Sequence, residues 1–197
     1  MGIWNVPPGN ERQPWMLDPF EGVGSLRWDV LPDSERQQWM LDPFGGVGPL
    51  RFGMRRGEVS AELGGVQANW GVRNAHDEAG HEHHSEVGLT LHYAAGDHLR
   101  AVQVDALRGP QVFADDTALV GRVPSELERW VEARAELREP DPELFLLPGG
   151  EIMSESLGVA FCLQRAGDRL LTRPIFLSAD TMDDGYNKLG RDAWVIS

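Results

Sequence analysis

The chain has 197 residues, 41% of them apolar and 25% charged, which is the composition of a globular fold and not of a disordered segment. Thirty-one acids against 18 bases give a formal net charge of −13, a field that repels phosphate backbones and anionic membrane surfaces, so neither nucleic acid nor membrane is an expected partner, and the charge fits a cationic protein partner or simply solubility, the commoner role of such charge. The N-terminal residues lack a basic region followed by an apolar one, Val6 stands where a myristoylation signal has Ser or Thr, and no stretch nears the ~18 consecutive apolar residues of a membrane span, so a cytoplasmic protein is expected.

Residues 1 to 34 carry Pro7, Pro8, Pro14, Pro19 and Pro32 among several glycines, which interrupts regular structure and predicts an N-terminal arm. Trp4, Trp15, Phe20 and Trp28 lie within it and would pack on the body or on a partner. Residues 11 to 28, ERQPWMLDPFEGVGSLRW, recur 24 positions later as ERQQWMLDPFGGVGPLRF (35 to 52), with 14 of 18 positions identical. Two copies are too few for a solenoid. Only the second copy runs on into a helix-like stretch, so residues 35 to 197 are expected to form one α+β body and the first copy to be an appended duplicate that folding does not require. Gly22-Val23-Gly24 and Gly46-Val47-Gly48 lack the third glycine and the preceding strand of a phosphate cradle and are read as turns.

Met54, Val59 and Leu63 place one apolar stripe on a short helix from Arg55 to Leu63, stopped by Gly64-Gly65, with Arg55 a poor N-cap. Residues 73 to 86, RNAHDEAGHEHHSE, are polar and broken by glycine, and read as a loop. Val87, Leu89, Leu91 and Tyr93 then alternate, and the turn Ala95-Gly96-Asp97-His98 leads into Leu99 to Ala106, which predicts a hairpin. A further strand, Gln111 to Ala114, would turn at Asp115-Asp116. Ser125 and Glu128 fit a capping box, Pro124 precedes it, and Leu127, Trp130, Val131 and Ala135 form the stripe of a second helix that Pro140 and Pro142 end. A strand at Leu144 to Leu147, an alternating run through Leu157, Val159, Phe161 and Leu163, and a return strand Leu170 to Leu177 follow. The A-G-D-x-L turn of residues 95 to 99 reappears at 166 to 170, again after one helix and an alternating strand, so two tandem helix-then-strands halves, 46 to 118 and 119 to 197, are a reading of the element order. The C-terminal Trp194-Val195-Ile196 is apolar enough to dock on the body.

All six histidines fall between His76 and His98, and His76, His81, His83 and His84 are candidate metal ligands by density. A glycine-broken loop orients none of them, the order is not H-E-x-x-H, and no metal or other cofactor is expected. The lone Cys162 cannot form an internal disulfide and lies in an apolar run, where a thiol is usually inert. No P-loop, nucleophile elbow or C-x-x-C is present, so no catalytic residue is assigned. Between Pro124 and Ser156 stand nine acids against three arginines, and Glu128, Glu132, Glu136, Glu139 and Asp141 are the candidate docking residues for a basic partner.

Gly46-Val47-Gly48-Pro49-Leu50-Arg51-Phe52-Gly53-Met54, followed by Glu58-Val59 and Leu63-Gly64, resembles two groups. One is small bacterial proteins carrying L-R-F-G-M-x-x-x-E-V, uncharacterised or immunity-like. The other is the helix-then-antiparallel-sheet modules of SmpA/OmlA-type lipoproteins and β-lactamase inhibitor proteins. The resemblance covers about 20 residues. It implies a fold of tandem modules whose sheet offers a broad face to another protein, and it transfers no functional residue, because the matched positions are a turn and a helix start. The chain lacks the lipobox and paired cysteines that would bring the cellular roles of the second group with them. The expectation is therefore a non-enzymatic protein-binding protein of immunity or inhibitor type that neutralises a cationic protein, with a stand-alone α+β protein of hydrolase or metal-binding activity as the alternative.

Overall fold

The computed structural model describes residues 29–73, 80–137, 144–146 and 151–183, so the first copy of the duplication and the Trp194-Val195-Ile196 tail lie outside the described residues. The second copy folds as three short strands, β1 (Gln38–Asp42), β2 (Gly46–Val47) and β3 (Leu50–Arg51), behind a single 3-10 turn at Asp33–Glu35. Helix α1 (Arg56–Glu62) then leads into a meander of β4 (Trp70–Arg73), β5 (Gly80–His84), β6 (Leu89–Ala94) and β7 (His98–Val104). A small hairpin, β8 (Gln111–Ala114) and β9 (Thr117–Ala118), precedes α2 (Pro124–Glu136). A second meander follows, of β10 (Leu144–Leu146), β11 (Ile152–Ser154), β12 (Val159–Ala166) and β13 (Arg169–Leu177), and α3 (Ala179–Asp183) comes after it.

The protein is α+β. Eight strands form one sheet in the order β10-β11-β12-β13-β7-β6-β5-β4, each neighbouring pair antiparallel. The two meanders join where β13 pairs with β7, Ile175 opposite Gln103 and Leu177 opposite Ala101. A second sheet, β3-β2-β1-β8-β9, contains a parallel pair, β1 with β8.

Local chemistry explains most of these elements. Strand β6 buries Leu89, Leu91 and Tyr93 in strict alternation. Both A-G-D turns close hairpins, β6–β7 with Gly96 and Asp97 at positive φ and β12–β13 with Gly167 at positive φ. Helix α1 compensates for its poor N-cap from within: the Arg55 N–H donates to Glu58 Oε2 at 2.7 Å. Gly48, at φ 57°, has the Trp39 indole so close that a Cβ would lie 2.3 Å from Cδ2. Gly48 is therefore a turn residue under an aromatic lid, as the sequence predicts, whereas Gly46 and Val47, also read as turn, are strand β2, held by pairing with β1 and β3.

The structure corrects several expectations. Residues 80 to 84 are strand β5 and not part of a loop, because cross-strand pairing with β6 fixes an extended conformation that polar composition alone does not announce. Ser125 is not the cap of α2: the helix starts at Pro124 with Val123 as N-cap and no side-chain cap, since proline's fixed φ suits the first helical position and its missing N–H is not needed there. Among the described residues three α-helices are present where two were expected, the third being the five-residue α3.

The main core lies between the inner face of the large sheet and a layer made of α1, α2 and the small sheet. Leu89, Leu91, Val102, Val159 and Phe176 meet Val59, Leu127, Val131, Val47 and Leu50 there. A smaller cluster on the outer face, Ala101, Met153, Ala160 and Leu177, is covered by Met182 of α3.

One buried arginine ties the entry of the chain to this layer. Arg36 is 6% exposed and donates from Nε to Leu31 O at 2.8 Å, from Nη1 to Gly109 O at 3.0 Å, and from Nη2 to Ala106 O at 2.8 Å and Leu107 O at 3.0 Å. Beside it the buried Gln111 donates to Asp33 Oδ1 and exchanges bonds with Val120 N–H and C=O. Leu31 and Asp33, which the sequence assigns to the arm, thus bond to the body. Replacing Arg36 by Ala strands these carbonyls and should lower the unfolding free energy by about 2–4 kcal/mol in urea titration. Arg36→Lys should recover only part of that, because one ammonium cannot span the fork that the guanidinium spans.

Candidate functional site

Two regions carry chemistry-bearing side chains. The first is the histidine segment. On β5 successive residues point to opposite faces, so His81 and His83 lie on the outer face while Glu82 and His84 lie on the inner one. His76 lies outside the described residues. His81 stands opposite His92 of β6, with ring centroids 5.7 Å apart, and meets the edge of Trp70 at 5.3 Å. His83 packs against Trp70 at 5.6 Å, and its Nδ1 is 3.1 Å from Thr90 Oγ1. Trp70 and Val72 sit on the sheet's edge strand β4 and are 53% and 56% exposed.

Inside the sheet, His84 is buried with Nε2 3.6 Å from Glu82 Oε2, and burial lowers its pKa against the pull of that carboxylate. Glu82 also pairs with Arg56 of α1, which pairs in turn with Asp97 and lies 3.9 Å over the ring of Tyr93. The three described candidate histidines are therefore split: His81 and His83 come together with His92 and Trp70, and His84 joins an ionic cluster beneath α1. Among the described residues no three His, Cys, Asp or Glu side chains are grouped so as to hold a metal ion. His92, Trp70 and Glu82 were missed by sequence reasoning. The signal was the H-E-H spacing itself, which on a strand puts both imidazoles on one face.

The second region is α2. Leu127, Val131 and Arg134 form its buried side, which leaves Glu128 and Glu136 exposed and Glu132 partly so, in an i, i+4, i+8 row. Arg134 is 8% exposed and turned inward, with Nε 2.6 Å from Asp115 Oδ2 and Nη1 2.7 Å from Ser156 Oγ. Arg129 donates from Nε to Ser125 O. Beside the row, Pro124, Leu127 and Val131 face Ile152, Phe161 and Leu163 across a narrow apolar cleft with Glu128 on its wall. Glu139 and Asp141, the other two candidate docking residues, lie outside the described residues. Cys162 is partly buried, and burial with Glu151 nearby pushes its thiol up to about 11, which keeps it protonated at neutral pH.

Comparisons with protein-family models, with curated proteins and with solved structures return no match to this chain. The chemistry of its own side chains is the ground for a functional reading. Among the described residues, no helix is long and apolar enough to cross a membrane.

His92 gives the outer face a pH signature. Burial, then the charges of His81 and Arg100, lowers its pKa from 6.5 to about 4. The unfolded chain thus takes up the proton first, so stability is complete above pH 6.5 and declines as pH falls toward 4. His84 shifts in the same direction. Urea midpoints measured from pH 7 to 4 should fall less steeply for His92→Gln than for the parent, and identical slopes would show that His92 titrates as an ordinary surface histidine.

Proposed function

We propose that the protein is a non-enzymatic protein-binding protein of immunity or inhibitor type, which receives a cationic protein on the acidic flank of α2. The inward turn of Arg134 carries this reading. Residue 134 continues the stripe set by Leu127 and Val131, so its charge is spent on Asp115 in the body and does not offset Glu128 and Glu132 outside. Like charges at i, i+4 work against an isolated helix by about 0.2–0.5 kcal/mol per pair, so the row is not arranged for helix stability.

The neighbouring cleft adds an apolar element. A basic side chain can lay its methylene stem against Leu163 and Val131 while its head group reaches Glu128. The net charge of −13 would steer such a partner from a distance. The likeness of residues 46 to 54 to immunity-like bacterial proteins supports the same reading, as does the single unpaired Cys162, which fits the reducing cytoplasm.

The test has two required readouts on whatever basic protein is captured from native lysate. Association should slow as salt shortens the Debye length from ~10 Å to ~3 Å. The triple variant Glu128→Lys, Glu132→Lys, Glu136→Lys should slow association by roughly tenfold or more while the melting temperature stays nearly unchanged, because exposed charges act on encounter more than on folding. Binding that ignores both salt and the triple reversal would remove α2 from the interface.

A further inference from the structure

Of residues 35 to 52, five are buried: Arg36, Trp39, Gly46, Val47 and Leu50. All five recur in the first copy of the duplication, as Arg12, Trp15, Gly22, Val23 and Leu26. The four pairs that differ, Pro14/Gln38, Glu21/Gly45, Ser25/Pro49 and Trp28/Phe52, fall at exposed or half-buried places of the second copy. The likeness also runs upstream, since Trp4, Val6 and Pro8 stand 24 residues before Trp28, Val30 and Pro32.

Each difference suits the place where the second copy sits. The Gln111 N–H donates to Gln37 O at 2.8 Å in the parallel ladder, so the backbone groups of residue 38 point away from β8 and Pro14 forfeits no bond to it. A Cβ on Gly45 would first meet the carboxylate of Asp42, an exposed side chain that can swing aside for Glu21. Ser25 replaces Pro49 in a turn, which serine also favours. Phe52 lines a cavity of about 420 Å³, with room for the larger ring of Trp28. Upstream the first copy is the weaker occupant. The Leu31 N–H donates to Leu107 O at 2.8 Å, and Pro7 has no N–H. Asp33 accepts from Gln111 and pairs with Arg122, and Gly9 has no carboxylate.

We infer that the seat beside β8 is a segment-binding site with two interchangeable occupants in one chain: residues 28 to 52, which hold it, and residues 4 to 28, which take it when the second copy is displaced. Exchange shifts the seated sequence by 24 residues. Trp28 takes the place of Phe52, and residues 29 to 52 become a loop that leaves the body just before Gly53, an exposed turn residue. The entropy of closing such a loop rises only slowly with its length. The upstream contacts given up and the added loop together keep the second copy seated, so exchange appears only under a lesion that costs more than both.

The experiment is Leu50→Asp in the full chain, because Leu50 is fully buried and an unpaired carboxylate there is incompatible with a core that has a single occupant. This variant should keep a cooperative urea transition at a lowered midpoint, independent of protein concentration. Backbone NOE contacts from Trp15 to Val112 should replace those from Trp39, which stands opposite Val112 in the β1–β8 pair. Leu26→Asp alone should melt like the parent, and Leu26→Asp combined with Leu50→Asp should show no cooperative transition. Loss of the transition in Leu50→Asp alone overturns the exchange, as does a folded Leu50→Asp that keeps Trp39 beside Val112. Folding of Leu50→Asp only as a dimer would put the first copy in the seat of a second chain and overturn exchange within one.

Discussion

The antiparallel pairing of β13 with β7 is the contact on which the architecture depends. Each meander alone is a four-stranded sheet with a helix on one face and an unpaired terminal strand, and such edges are open to pairing with other chains. Joining them through residues 101–103 and 175–177 turns two half-layers into one eight-stranded sheet with a continuous inner face. Phe176 and Val102, opposite one another at the seam, are fully buried and belong to the core that α1 and α2 share. The same seam carries α3, since the Ser178 N–H donates to Arg100 O immediately after β13 ends.

Once the sheet is continuous, its alternation sorts charge. Glu82, His84 and Tyr93 are sent inward, where Arg56 reaches down from α1 to meet Glu82, Asp97 and the Tyr93 ring. Removing so many charges from water is costly, and it is tolerated because one guanidinium satisfies two carboxylates and an aromatic face at once. His81, His83 and His92 are sent outward, where Trp70 and Val72 of the edge strand extend the same face. Arg100, next in sequence to the core-facing Leu99, is the extra residue where the register between β6 and β7 shifts. On α2 the equivalent sorting is done by helical period: Arg134 goes in and the glutamates stay out.

Where apolar residues alternate, the fold was legible from sequence: β6, β7, β12, β13 and their A-G-D turns stand where predicted, as does the stripe of α2 through Leu127 and Val131. β5 was not legible. Its residues Gly80 to His84 contain no aliphatic side chain, so a period of two had nothing apolar to register, and the strand is held by pairing with β6 and by ring packing. The two-residue strands β2 and β3 are too short for any periodicity, and the parallel β1–β8 contact joins segments about 70 residues apart. Ser125 misled because its capping-box spacing is satisfied on paper, while Pro124 already supplies the first helical residue. The acidic row was legible from its spacing of four. That Arg134 is taken out of the balance could have been read from its place in the apolar stripe, although Asp115, its partner, is 19 residues away.

Cross-strand NOE spectroscopy on uniformly labelled protein tests the seam most directly. A single eight-stranded sheet requires backbone contacts between residues 101–103 and 175–177 in the register Ala101–Leu177, Val102–Phe176 and Gln103–Ile175. It also requires contacts between His81 and His92 on the neighbouring strands. Observation of both sets in one spectrum is the predicted result. If β6–β7 and β12–β13 contacts are present but none joins residues 101–103 to 175–177, the meanders are separate units, and the shared core and the seat of α3 both lose their basis.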